Sequence, residues 1–249
     1  MKRYKLSLCF DGTKYHGWQV QKNAVTVQQT VQDAMGRLFG VRPALTGCSR
    51  TDAGVHARAF CAHTDIDTEI PAGRIPYALR HYLPPDISAV DCEEASGDFH
   101  ARYSAKSKEY VYKIYNRPHP NPFYRGYALH IERPLDTETM NRAAKAFLGR
   151  HDFSAFRASG SGVEDTVRTV FDAGVHREGD IILFTVRADG FLYNMVRIMT
   201  GTLLEIAYGK TEPEQIPVMI ARGDRSVSGP TAPAHGLYLN RVLYYSQTT

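Results

Sequence analysis

Lys2-Arg3-Tyr4-Lys5-Leu6-Ser7-Leu8-Cys9-Phe10 opens the chain with Tyr4, Leu6, Leu8 and Phe10 on one side and polar or small residues on the other, the alternation of a half-buried strand. Working outward, Thr26 and Gln29 make a capping box. Val27, Val31, Ala34, Met35 and Leu38 then recur at helical spacing, with Gly40 as the stop. A short extended piece reaches Cys48, and a loop of small and polar residues follows. From Arg58 to Ile66 the alternation returns, Phe60, Ala62, Thr64 and Ile66 against Cys61, His63 and Asp65. A helix from Arg74 must end before Pro84-Pro85, and Ile87 to Glu94 is a strand. The order is β-α-β-β-α-β.

The rest of the chain predicts the same order. Lys108 to Asn116 is a strand with Tyr110, Tyr112 and Ile114 on one face, followed by a helix from Asp136 to Leu148 and strands near Thr166 to His176 and Ile181 to Asp189. A helix from Phe191, a short helix opened by Pro213 and a strand from Leu237 to Tyr245 complete it. Matching elements lie roughly 105 to 110 residues apart, although no repeated sequence is visible. The expected class is α+β, with a ferredoxin-like half at 1–105 and another at 106–249, each an antiparallel sheet with helices on one face. The Pro-rich run 117–122 has the composition of a linker, but the repeat places it inside the second half. Residues 158–165 (ASGSGVED) read as a mobile surface loop.

With 249 residues, 43% hydrophobic and 22% charged, the chain can bury a large core without disulfide or metal staples. Its richest apolar stretch, Phe191 to Tyr208, is interrupted by Asn194, Arg197 and Glu205, so no membrane span is expected. The first residues lack the apolar core of a signal peptide. Cys9, Cys48, Cys61 and Cys92 form no CxxC pair, which suits a reducing, cytoplasmic setting. A net charge of +4 permits an anionic partner without demanding one.

Three places carry candidate chemistry. In Gly47-Cys48-Ser49-Arg50-Thr51-Asp52-Ala53-Gly54-Val55-His56-Ala57-Arg58, a loop between strands presents Asp52 between Arg50 and Arg58. Two cations favour an ionised carboxylate, as a nucleophile or electrostatic catalyst requires; a hairpin tip with Asp and Gly in turn roles is the plainer alternative. Arg197 sits in a helix that is apolar nearly all round, so its charge needs a carboxylate or an anionic ligand; Asp52 is one candidate and a structural ion pair the alternative. Tyr110 stands at the start of an aromatic strand, beside an acid-free stretch carrying His100, Arg102, Lys106 and Lys108. Cations beside aromatics suit phosphate contact and base stacking, although strand tyrosines also serve ordinary packing. Gly209-Lys210-Thr211 is no phosphate-binding loop, because Leu204 stands where the motif needs glycine. Cys48, His56, Cys61 and His63 fit no standard zinc spacing.

The loop GCSRTDAGVHA closely resembles the catalytic-aspartate motif of the tRNA pseudouridine synthase A family. The resemblance extends to Phe10-Asp11-Gly12-Thr13, Gly17-Trp18-Gln19, Phe99-His100-Ala101-Arg102-Tyr103-Ser104-Ala105 and Lys108-Glu109-Tyr110-Val111-Tyr112. It continues through His151-Asp152-Phe153-Ser154-Ala155-Phe156, the run from Asp189 to Arg197, and Ala234-His235-Gly236-Leu237-Tyr238-Leu239. It implies isomerisation of uridine to pseudouridine in the anticodon stem-loop of tRNA, at positions 38–40. It also implies two ferredoxin-like halves joined in one mixed, mostly antiparallel sheet with a cleft between them, and a homodimer. By position, Asp52 is the catalytic nucleophile, Tyr110 contacts the target uracil, Arg197 pairs with the aspartate, Arg58 helps to bind the flipped nucleotide and Leu243 packs against the site. Arg50, Arg102, Lys106 and Lys108 are candidate RNA contacts. The isomerisation is redox-neutral and calls for no cofactor or metal. Whether Asp52 attacks C1′ or acts as a base through a glycal stays open. A retaining glycoside hydrolase would need a second carboxylic acid, which this motif lacks; a non-catalytic RNA-binding module is the other rival.

Overall fold

A computed structural model of the protein describes residues 1–160 and 162–245. In chain order the elements are β1 (Lys2–Phe10), α1 (Val27–Phe39), β2 (Thr46–Gly47), β3 (His56–Ile66), α2 (Ile75–Leu79), β4 (Ile87–Glu94) and β5 (Ser107–Asn116). There follow β6 (Leu129–Ile131), α3 (Thr137–Lys145), β7 (Gly149–Asp152), β8 (Val167–Glu178), β9 (Ile181–Ala188), α4 (Met195–Ala207), α5 (Gln215–Arg222) and β10 (Leu237–Leu243). The fold is α+β with mostly antiparallel strands. It divides into two compact units, one of Met1–Lys106 with the chain from Tyr238 onward, the other Ser107–Leu237. The first boundary lies within a residue or two of the one expected from chain order, but the final strand belongs to the first unit.

In the first unit β1 lies between β3 and β4, antiparallel to both, and β2 pairs with the far edge of β3 at Thr46↔His63 and Gly47↔Ala62. That is the ferredoxin-like order β4-β1-β3-β2. β2 is so short that the His56 end of β3 stays open beside it, and β10 fills that edge in parallel, Tyr238↔His56 and Leu239↔Ala57. The β1 alternation is realised as read: Tyr4, Leu6, Leu8 and Phe10 are buried. α1 begins at its Thr26 cap, whose hydroxyl accepts from Gln29 N, and stops at left-handed Gly40 (φ 74°). β3 is buried on both faces. Phe60 and Ala62 face the core, while Cys61 and His63 are covered by the segment after β4: Ala101 N donates to His63 Nδ1, and Tyr244 Oη donates to Ala101 O.

The second unit orders its strands β6-β5-β9-β8-β7, with β6 parallel to β5 and the other pairs antiparallel. α3 packs on β8 and on α4, and α4 on β5. The Pro-rich run at 117–122 lies inside this unit. β6 and β7 were not anticipated, being three and four residues long with little apolar alternation. Helices proved shorter than their periodicity suggested. α2 keeps five residues after a 3-10 turn, and α3 ends at Lys145, where Ala146, Phe147 and Leu148 close tighter i to i−3 hydrogen bonds. The helix expected from Phe191 starts at Met195, because Asn194 is left-handed (φ 59°) and breaks it from the preceding turn. α5 starts at Gln215, two residues after Pro213, and β10 ends at Leu243. Of the loop 158–165, Ser161 lies outside the described residues; from Ser159 on the others are exposed.

Candidate active site

Residues 48–55, which carry Asp52, bridge β2 and β3, and their path is set by the chain between β1 and α1. Trp18 N donates to Thr51 O (3.2 Å), Gly54 N to Tyr15 O (3.2 Å), and within the loop Val55 N donates to Asp52 O (3.2 Å). Gly17 makes the close approach possible. Its φ is +81°, and a Cβ there would stand 2.2 Å from Thr51 O and 3.1 Å from the carbonyl carbon of Asp52. Beneath the loop Trp18 stacks on Phe60 (4.0 Å, 27°), with Phe10 against both. A rigid aromatic floor and a glycine contact therefore hold the backbone of Thr51 and Asp52. Asp52 itself is half-buried. Beside it, the Thr51 hydroxyl is buried without a hydrogen-bond partner among the described residues, the sort of polar orphan that gathers at functional sites.

At the loop's far end His56 is buried, its Nδ1 3.1 Å from both Gly12 N and an Asp11 carboxylate oxygen. Its ring stacks on Tyr238 of β10 (4.7 Å, 24°), and the Arg58 guanidinium lies over the same Tyr238 ring at 5.6 Å. The pattern reading of the residues assigned no task to Gly17, Trp18 or His56. The motifs Gly17-Trp18-Gln19 and Phe10-Asp11-Gly12-Thr13 were the available signal, and the structure explains them as the mould of the aspartate loop.

Leu243 and Lys106 meet through their backbones, Lys106 N donating to Leu243 O (2.7 Å). The basic stretch splits by burial. Arg102 and Lys106 are exposed, Arg102 lying over the Tyr103 ring (5.7 Å), whereas Lys108 is buried at the start of β5. Phe99 and His100 turn inward: Phe99 packs on Tyr244 (5.0 Å), and His100 on His63 (4.8 Å). Exposed Arg50 stands two residues before Asp52.

In the second unit Tyr110 on β5 is buried and meets the Phe191 ring edge-to-face at 5.0 Å and 82°. Arg197 projects from the first turn of α4, half-buried on a helix whose other residues are buried except Glu205 and Ala207. Its Nη1 donates to Asn194 Oδ1 (2.7 Å) and its Nε to Ala232 O (2.7 Å), while Ala232 N donates back to Arg197 O (3.1 Å). These two neutral acceptors fix the direction of the guanidinium. Ala232 is brought there by Gly201: a Cβ on it would stand 1.7 Å from Pro230 O, so the strap 229–232 can cross α4 only at a glycine. Gly229 N also donates to Thr202 Oγ1 (2.9 Å). Among the described residues, no group of three His, Cys, Asp or Glu side chains could hold a metal ion, and no helix is long and apolar enough to cross a membrane.

Residues 143–245 match the family model described as tRNA pseudouridine synthase. The chain is 49% identical to the tRNA pseudouridine synthase A of Acetivibrio thermocellus, over 98% of this chain and all of that protein. It is 46% identical to that of Ruminiclostridium cellulolyticum, over 98% and 100%, and 45% identical to that of Halalkalibacterium halodurans, over 97% and 92%. The class is thus the pseudouridine synthases. Within it, the chain belongs to the tRNA pseudouridine synthase A family.

Proposed function

We propose that this protein isomerises uridine to pseudouridine in the anticodon stem-loop of tRNA, at positions 38–40, with Asp52 as the catalytic residue. The observation that carries this reading is 49% identity along nearly the whole of both chains to a tRNA pseudouridine synthase A, with GCSRTDAGVHA intact on a loop whose backbone is tightly held.

The chemistry follows from the residue types. The N1–C1′ glycosidic bond breaks, the uracil turns, C5 joins C1′, and the proton on C5 is lost while N1 gains one, so atoms and electrons balance without a co-reactant. Positive charge develops at C1′ as the base departs, and a carboxylate is the side chain that stabilises it, as in retaining glycosidases. Asp52 meets this charge at the ribose. Tyr110 offers the turning uracil an aromatic face that has no preference for one orientation. Arg197, free to rotate at neither Nε nor Nη1, keeps the Asp52 carboxylate ionised and aimed. Arg58 and Leu243 border the flipped nucleotide, and Arg50, Arg102 and Lys106 meet phosphates. A stem uridine must leave its stack before it reacts, at a cost of a few kcal/mol. The family supports a cytoplasmic homodimer, which light scattering during gel filtration would register.

The test is incubation of purified protein with unmodified tRNA and no added cofactor, reading pseudouridine positions by sequencing. Product at 38–40 is expected. For Asp52→Ala, product disappears while tRNA binding stays within a few-fold of wild type; undiminished product from this variant would remove Asp52 from the chemistry.

A further inference from the structure

The Ser107–Leu237 unit carries two arginines on the lining of one surface cavity. Arg157 follows the 3-10 turn Ser154–Phe156, and Arg225 opens the 3-10 turn Arg225–Val227. Both are half-buried, and with Ser154 and Thr231 they line one surface cavity of about 570 Å³. Arg157 Nη1 donates to Val163 O (2.6 Å). Arg225 Nη1 donates to Ser228 O and Oγ (3.2 and 2.9 Å), and its Nη2 to Thr231 Oγ1 (3.3 Å). Every one of these acceptors is neutral. Two carboxylates lie near the cavity in sequence and are held by hydrogen bonds of their own: Asp152 accepts from Ser154 N (2.9 Å), the Ser154 hydroxyl and Thr166 and feels the charge of Arg157, while Asp224 accepts from Ser226 N and Oγ (2.9 and 2.6 Å). Among the described residues neither arginine has a carboxylate within 4.0 Å.

Two guanidiniums that line one hollow make a concave positive surface, which suits an anion. Their planar forks match the paired oxygens of a phosphate, and the hydroxyl of Thr231 adds a neutral donor. The hollow is also tied to Arg197 on two sides. Thr231 precedes Ala232, which exchanges hydrogen bonds with Arg197, and Ala158 N donates to Tyr193 O (3.1 Å) in the turn that supplies Asn194 to Arg197.

We propose that this cavity is a phosphate subsite, in which Arg157 and Arg225 clamp a backbone phosphodiester of the strand that delivers its nucleotide to Arg197. The proposal rests on the tRNA pseudouridine synthase reading. An anion seated there is also held against the two segments that orient Arg197.

The test measures tRNA affinity of the full-length protein across a salt series, for wild type, Arg157→Gln, Arg225→Gln and the double variant. Each phosphate contact removed lowers the slope of log affinity against log salt by about one. The double variant is expected to bind about tenfold more weakly or worse near physiological salt. Arg157→Lys and Arg225→Lys, which keep the charge, hold the wild-type slope. Should Arg225→Gln not fold by circular dichroism, Arg157→Gln, whose guanidinium makes a single hydrogen bond to a loop carbonyl, decides alone. Wild-type affinity and slope in the glutamine variants overturn the proposal. A calorimetric titration with inorganic phosphate forms the second arm: tight phosphate binding lost in the variants, with an unchanged tRNA slope, assigns the cavity to a free anion and also overturns it. Because tRNA binding is read without turnover, absence of pseudouridine from the wild-type reaction would count against the parent reading separately.

Discussion

Arg197 shows how a single residue is prepared for its charge. Two of its hydrogen bonds go to neutral oxygens and fix the direction of the guanidinium, an arrangement that suits the proposed pairing with an ionised carboxylate. Replacing Arg197 with Met removes that cation, so on the proposed reading the Asp52 carboxyl titrates at higher pH. The deprotonated acid is the working form, and the acid limb of the kcat/KM profile therefore moves up in pH, with the plateau lowered on the order of 10²-fold. A limb at the wild-type position would separate Arg197 from Asp52. A second titration concerns Cys61, which burial pushes up to about 11 from an ordinary 9.0. The folded state thus favours the neutral thiol. That contribution is complete below about pH 9, where the unfolded thiol also stays protonated, and is lost as pH rises to about 11. Thermal melts should show stability falling across this window, with a shallower fall for Cys61→Ala. Arg197 stood out in the sequence as a cation in an apolar helix, and Cys61 only by type. Their partners, Ala232 for one and the cover made by Tyr244 and residues 99–104 for the other, are remote in the chain.

At the scale of elements, the strand and helix periods were legible because one-sided burial writes them into composition. β1, β4 and the Thr26 cap of α1 stand where the pattern put them. Helix ends were less legible: α4 starts four residues late because Asn194 adopts a left-handed conformation, which the apolar run Phe191 to Val196 does not advertise. Besides α3 and β5, α4 meets the strap 229–232 in a close approach at Gly201. Gly201→Ala sets two effects against each other. Alanine improves helix propensity by about 1 kcal/mol, whereas forcing a methyl against a backbone carbonyl costs about 1–3 kcal/mol. With the added carbon placed 1.7 Å from Pro230 O, the clash wins. The melting temperature should drop by about 2–4 °C per kcal/mol lost. Activity should fall further than stability explains, since Ala232 retreats from Arg197. A variant as stable and active as wild type would show that the strap is not what orients the arginine.

For the molecule as a whole, the RNA-facing prediction is electrostatic. A net charge of +4 is small, so binding must come from placed cations such as Arg102 and Lys106, which are exposed, and not from Lys108, which is buried. Affinity for tRNA should fall about tenfold or more between about 50 and 200 mM salt, and a gel-shift series that stayed flat would reduce these residues to a solvated face. The sequence by itself determined the α+β class, the βαββαβ order of the first unit, the family, and the aspartate loop, because local periodicity, capping and a contiguous motif are properties of neighbours along the chain. Only the tertiary structure decided that β10 closes the edge of β3, that Gly17 and Trp18 mould the loop of Asp52, and that Thr231 and Ala232 link Arg225 to Arg197. Those relations are contacts between segments tens to hundreds of residues apart, where burial, close backbone approach and charge placement depend on how the chain packs and leave no period to read.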